Sequence, residues 1–157
     1  TIVDTRSGKV VGQIEVGRRP RSVAFTPDGA RAYVTSEVDG TVWVIDVAGR
    51  KKLEVITMPP GSKPMDAEVA PDVKRVYVSN GRGATVVAID PATDSIVGTV
   101  KAGQRPWGIA LTPDGRKLYA ANGPSNDVTV VNAQGLSVIR TVPVGKLPWG
   151  VAIGQAP

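Results

Sequence analysis

The sequence has 157 residues, 41% of them hydrophobic and 21% charged, with a formal net charge of +5 and a pI near 9.7. It contains no Cys and no His, which removes disulfides, thiolate chemistry, the commonest metal ligand, the usual general base and the usual haem ligand. No run approaches the roughly 18 apolar residues of a membrane helix, and no basic-then-apolar start reads as a signal peptide, so a soluble one-domain chain attracted to anions is expected.

Residues 1–17 read as two strands joined by a turn, and from there the chain repeats itself. The prolines at Pro20, Pro64, Pro106 and Pro148 step by 44, 42 and 42 residues. Asp28, Asp72 and Asp114, then Tyr33, Tyr77 and Tyr119, then Asp46, Asp90 and Asn132 keep the same register. Agreement across independent columns marks an internal repeat, which fixes the architecture before any single residue does. Inside each repeat the periodicity is two, with β-branched runs between turn residues, so each repeat predicts four strands and no helix. In the second repeat the runs fall at 65–70, 74–79, 85–90 and 95–101. Pro-Asp-Gly at 27–29 and 113–115 supplies a fixed φ followed by a residue that tolerates positive φ, as a tight hairpin requires. A four-stranded unit of this length cannot bury both faces alone and stacks radially around an axis.

The fold class is therefore an all-β, partial β-propeller. Residues 1–17 supply outer strands c and d of a split blade, full blades span 21–62, 65–104 and 107–146, and 147–157 hold a final inner strand and a tail. Three blades and a fragment do not close a ring of about four to eight. Either a longer protein or a second copy completes it, and the former is expected, because open blade faces and unpaired edges invite self-association.

Tyr33-Val34-Thr35-Ser36 and Tyr77-Val78-Ser79-Asn80, each after a Pro-Asp turn, resemble the YVTN-repeat β-propellers over essentially the whole chain. The third copy, Tyr119-Ala120-Ala121-Asn122, is looser. The closing segment from Leu147 through Pro148-Trp149-Gly150 to Ile153 is similar to periplasmic propellers associated with PQQ-dependent alcohol catabolism. The resemblance implies a periplasmic or extracellular binding or scaffold protein. Such repeats also occur in haem and copper reductases, against which the missing His argues.

Alternating strand direction sorts the loops between two mouths. One receives Arg18, Arg19, Arg21, Lys63, Arg105 and Lys146 from the connectors between blades, and Arg82, Asn80, Asn122 and Asn126 from hairpin loops. The other mixes Asp28, Asp72 and Asp114 with Arg31, Lys74, Arg75, Arg116 and Lys117, so its field should cancel. The basic, amide-rich mouth is the better site for a carboxylate, a phosphate or an acidic partner, although solvated loop charges repeated with the blade would look alike. Arg19, Lys63, Arg82 and Arg105 are its candidate ligand-binding residues, with the indoles Trp107 and Trp149, which begin successive inner strands. The indoles stack on a ligand, or pack against the adjacent proline and the next blade. Trp43, on strand c, is expected as a blade-to-blade contact.

The inner strand breaks its pattern once. Where other copies have Ser22 and Ala24, or Gly108 and Ala110, the second has Asp66 and Glu68. Two carboxylates two residues apart share a strand face and could hold Ca²⁺ or Mg²⁺, or form a solvated channel wall or an internal salt bridge. No cofactor is otherwise expected and no catalytic set can be placed. The reading is non-enzymatic recognition of a protein partner or a small anionic ligand, with no membrane span. The alternatives are a lactonase-like hydrolase and an accessory domain of a periplasmic oxidoreductase. Nucleic acid ranks low, because it rests on charge alone.

Overall fold

The structure, a computed structural model, describes residues 1–154. Fourteen strands and no helix occur among the described residues. β1 (Ile2–Val3) and β2 (Val10–Gly12) form a two-stranded antiparallel piece. Blade 1 consists of β3 (Pro20–Phe25), β4 (Arg31–Ser36), β5 (Thr41–Asp46) and β6 (Lys51–Thr57). Blade 2 consists of β7 (Pro64–Val69), β8 (Val76–Asn80), β9 (Thr85–Asp90) and β10 (Ser95–Lys101). Blade 3 consists of β11 (Pro106–Leu111), β12 (Lys117–Asn122), β13 (Asp127–Asn132) and β14 (Ser137–Pro143). In every blade the strands pair in chain order, antiparallel throughout. This is the all-β partial propeller that the repeat predicts, with three full blades and part of a fourth.

The core lies between blades, and alternation along the middle strands builds it. Val87 and Ile89 of β9 join Tyr33, Val42, Val44, Ile56 and Met58 of blade 1 in one buried cluster. Val86 and Ala88, one residue out of step, join Ile109, Leu118, Ala120 and Val131 of blade 3 in another. Blade 2 thus has both faces covered, which is why β8 is buried at all five positions, its polar Ser79 and Asn80 included.

Positive φ falls in columns too. Gly29, Val73 and Gly115 sit at equivalent turn positions with φ of 70°, 56° and 68°. The second copy therefore forces a valine into the left-handed region, where Cβ crowds the following carbonyl. Arg19, Arg105 and Leu147, each just before a repeat proline, share φ near 50–57°.

One expectation is corrected. Residues 147–154 carry no assigned strand, because no strand of a fourth blade pairs with them among the described residues; the rest of the tail, 155–157, lies outside the described residues. Trp43, half-buried on β5, lies outside the cluster between blades 1 and 2. It points to the sheet face opposite Val42 and Val44, its Nε1–H donating to Thr41 Oγ1 at 3.1 Å and the Lys52 ammonium 5.1 Å from its ring centre.

Candidate functional site

At the start of each inner strand the register slips, between Pro20 and Val23, Pro64 and Ala67, and Pro106 and Ile109. The slip releases an N–H from the ladder, and a hydroxyl of the neighbouring strand takes it. Ser22 N–H donates to Thr35 Oγ1 at 3.0 Å and Asp66 N–H to Ser79 Oγ at 3.1 Å. The same hydroxyls then donate to the next blade, Thr35 Oγ1 to the Met65 carbonyl and Ser79 Oγ to the Trp107 carbonyl, each at 3.1 Å. This latch fixes where Arg21, Met65 and Trp107, the residues inside the slip, enter the mouth. In the third copy Ala121 stands at the latch position and has no hydroxyl to offer Trp149.

Arg19, Arg21, Glu37, Lys63, Met65, Arg82, Arg105, Trp107 and Trp149 line one depression of about 320 Å³ at this mouth. The structure thus places Arg19, Lys63, Arg82, Arg105, Trp107 and Trp149 together. It adds Glu37, which the sequence reading missed. The signal was present, because the column of 37, 81 and 123 reads Glu, Gly, Gly. In blade 3 the bare Gly123 lets Trp107 lie against it, since a Cβ there would come within 2.2 Å of the ring. In blade 2 Gly81 faces Met65 in the same way. In blade 1 Glu37 fills the space instead, its Oε2 3.1 Å from Arg19 Nε and 3.6 Å from Arg21 Nε, without an aligned hydrogen bond.

The remaining cations divide. Arg18 leaves the depression and binds Asp39, Nε to Oδ1 at 2.6 Å. The Arg18 backbone N–H, more than its guanidinium, holds the Asp39 carboxyl below its usual range. Lys63 Nζ donates to the Val38 carbonyl at 3.0 Å. Arg82 and Arg105 form no ion pair or side-chain hydrogen bond among the described residues. Of the expected amides, Asn80 and Asn122 are fully buried, and Asn122 Nδ2 donates inward to Asp127 and Thr129. Asn126 accepts from Leu147 N–H. The rim is therefore basic and aromatic rather than amide-rich. The rings of Trp107 and Trp149 sit 4.5 Å apart, tilted by 40°, and the Arg21 guanidinium lies 5.8 Å from the Trp149 ring centre. Trp149 is 63% exposed, so the pair presents an open indole surface beside the cations.

A second depression of about 310 Å³ continues toward the axis, between Ser22, Asp66, Gly108 and Gly150. There Asp66 Oδ1 accepts from Ser22 Oγ at 2.6 Å and from Ala67 N–H at 2.9 Å, while Oδ2 accepts from Ile109 N–H at 3.0 Å. One carboxylate thus ties the inner strands of all three blades together. Glu68, half-buried on the same strand, has its carboxyl pushed up to about 7 by burial and then by the Asp66 charge. No group of three or more metal-ligating side chains occurs among the described residues.

The opposite mouth has a depression of equal volume, lined by Asp72, Lys74, Arg75, Tyr77 and Asp114. There Asp72 lies beside Lys74 and Asp114 beside Arg116, each pair at 4.0 Å. The basic depression, by contrast, is lined by four arginines and one lysine against the single carboxylate of Glu37.

The profile of the family described as "Lactonase, 7-bladed beta-propeller" matches residues 5–137. The chain belongs to that family. No curated protein matches the sequence. Among solved structures the lactonase-family chain is similar to hydrazine synthase of Kuenenia stuttgartiensis, at 22% identity and a TM-score of 0.79 over 91% of this chain and 42% of the other. It is also similar to a protein from Bacteroides fragilis described as a candidate 6-phosphogluconolactonase, at 24% identity and a TM-score of 0.75 over 85% and 41% of the two chains. The RRP9 WD40 repeats match at 19% identity and a TM-score of 0.75, over 85% and 42%. At these identities the likeness is one of fold. The chain spans less than half the length of each of these structures.

Proposed function

We propose that the chain supplies the recognition mouth of a lactonase-family propeller, and that this mouth holds a small carboxylated or phosphorylated molecule. The observation that carries the proposal is the gathering of Arg19, Arg21, Lys63, Arg82 and Arg105 with two indoles around one depression. Guanidinium groups offer bidentate donors to carboxylate or phosphate, and the indoles offer a flat apolar face to the rest of the ligand. Family membership favours an anionic lactone as that molecule and its hydrolysis as the activity of the whole protein.

A second reading is recognition without chemistry, in a periplasmic or extracellular propeller that supports a partner protein. The YVTN-like turns and the closing segment, with its likeness to the PQQ-associated propellers, favour it. Titration calorimetry of the chain with benzoate and inorganic phosphate at low salt, beside a proton-release assay on 6-phosphogluconolactone, separates the readings. Binding with proton release above the uncatalysed rate supports the hydrolase. Binding without it supports recognition alone, and no binding of either anion rejects the mouth as an anion site.

A further inference from the structure

The cations of the mouth are not equivalent, and one residue makes them unequal. Glu37 stands where blades 2 and 3 have glycine, and its carboxylate lies between Arg19 and Arg21. Lys63 is drawn to the Val38 carbonyl. What remains for a ligand is Arg82 and Arg105, which line the same depression as the Trp107 and Trp149 rings. Resting on the anion-site reading, we infer that Glu37 sets the charge of the ligand the mouth accepts. It neutralises Arg19 and Arg21, so the site takes a molecule with a single anionic group at Arg82 and Arg105 and an uncharged remainder.

The physical reason is local. A carboxylate in the same depression repels every further negative charge the ligand brings, and that repulsion grows with ligand charge. A neutral ligand group beside Glu37 meets no such repulsion. Without Glu37 the mouth would resemble five cations converging on one space, a site for polyanions. The glycines of the other two blades show that the repeat tolerates its absence.

The test compares benzoate, a monoanion, with citrate, a trianion, by titration calorimetry at low salt on the full chain. Variants are Glu37→Gln, Glu37→Gly and, as a control with the same change in net charge on the opposite mouth, Asp72→Asn. Removing a charge about 6 Å from the ligand in a water-like dielectric is worth roughly 3-fold per unit of ligand charge. Benzoate should tighten about 3-fold and citrate at least about 10-fold in both Glu37 variants, with Asp72→Asn within about 1.5-fold of the parent. Citrate affinity within about 2-fold of the parent in both Glu37 variants, or an equal gain in Asp72→Asn, overturns the inference. Arg105→Glu distinguishes the failures. If it abolishes benzoate binding while the Glu37 variants change nothing, only the role of Glu37 is wrong; if it changes nothing either, the anion site itself is wrong.

Discussion

Replacing Asp66 with Ala should destabilise the propeller more than it alters any ligand equilibrium. The carboxylate accepts from Ser22 of blade 1, from its own Ala67 N–H, and from Ile109 N–H of blade 3. Ile109 is only 2% exposed, so without the carboxylate its N–H loses its partner in a site open to solvent only through the depression that Asp66 lines. A buried donor left unsatisfied costs about 1–3 kcal/mol, and hydrogen bonds to a charged group contribute about 1.5–3 kcal/mol each. With partial relaxation of the exposed side of the channel, a loss of about 2–4 kcal/mol is expected. For a domain of this size that lowers the melting temperature by about 4–16 °C. Asp66→Asn keeps one acceptor oxygen and the shape, and should lose about half as much. Thermal melts by circular dichroism, with and without 5-fold excess Ca²⁺ over protein, read the outcome. A melting temperature of Asp66→Ala within about 1 °C of the parent would refute the staple. A Ca²⁺-induced rise confined to the parent would return Asp66 and Glu68 to the metal role that their spacing suggested.

Three further outcomes are expected. Glu68 has a folded-state pKa raised to about 7 from 4.5, so between those values the folded state holds more protons and stability should fall as pH rises, levelling off above about pH 7. Glu68→Gln should therefore melt like the parent near pH 4.5 and higher than it at pH 8; a parent curve that rises across this window contradicts the assignment. Val73→Gly relieves a left-handed valine that the other two turns avoid, against the extra freedom glycine has when unfolded, for a net gain of about 0.5–1 kcal/mol. A lower midpoint in urea for Val73→Gly would show that the turn is not strained.

The blades were legible because the repeat is written in several columns at once, and because both faces of blade 2 are covered, which leaves the centre of β9 apolar at successive positions. The shared mouth followed from the same arithmetic, since equivalent positions on stacked blades share a face. Glu37 is a single departure from a Glu, Gly, Gly column rather than a repeated charge, so the repeat arithmetic that gathers the cations does not bring it to the mouth. The role of Asp66 was not legible. Its partners depend on the register slip at each inner strand, which turns its carboxylate toward two neighbouring blades, and no periodicity of two reports such a slip. Asn80 and Asn122 were read as rim amides from their place at a strand end, but the packing of the adjoining blade buries them.

The central claim, that one mouth recognises an anion, is tested most directly by charge reversal on the two mouths. Arg105→Glu replaces an unpaired guanidinium in the depression, whereas Arg116→Glu changes the same net charge beside Asp114 on the opposite mouth. Exposed charges are screened beyond about 8–10 Å at 0.1–0.15 M ionic strength, and reversing a charge about 5 Å from the ligand is worth about 1.5 kcal/mol even in a water-like dielectric. Benzoate affinity measured by calorimetry should fall at least about 10-fold in Arg105→Glu and less than about 2-fold in Arg116→Glu. Equal losses in the two variants would contradict the account.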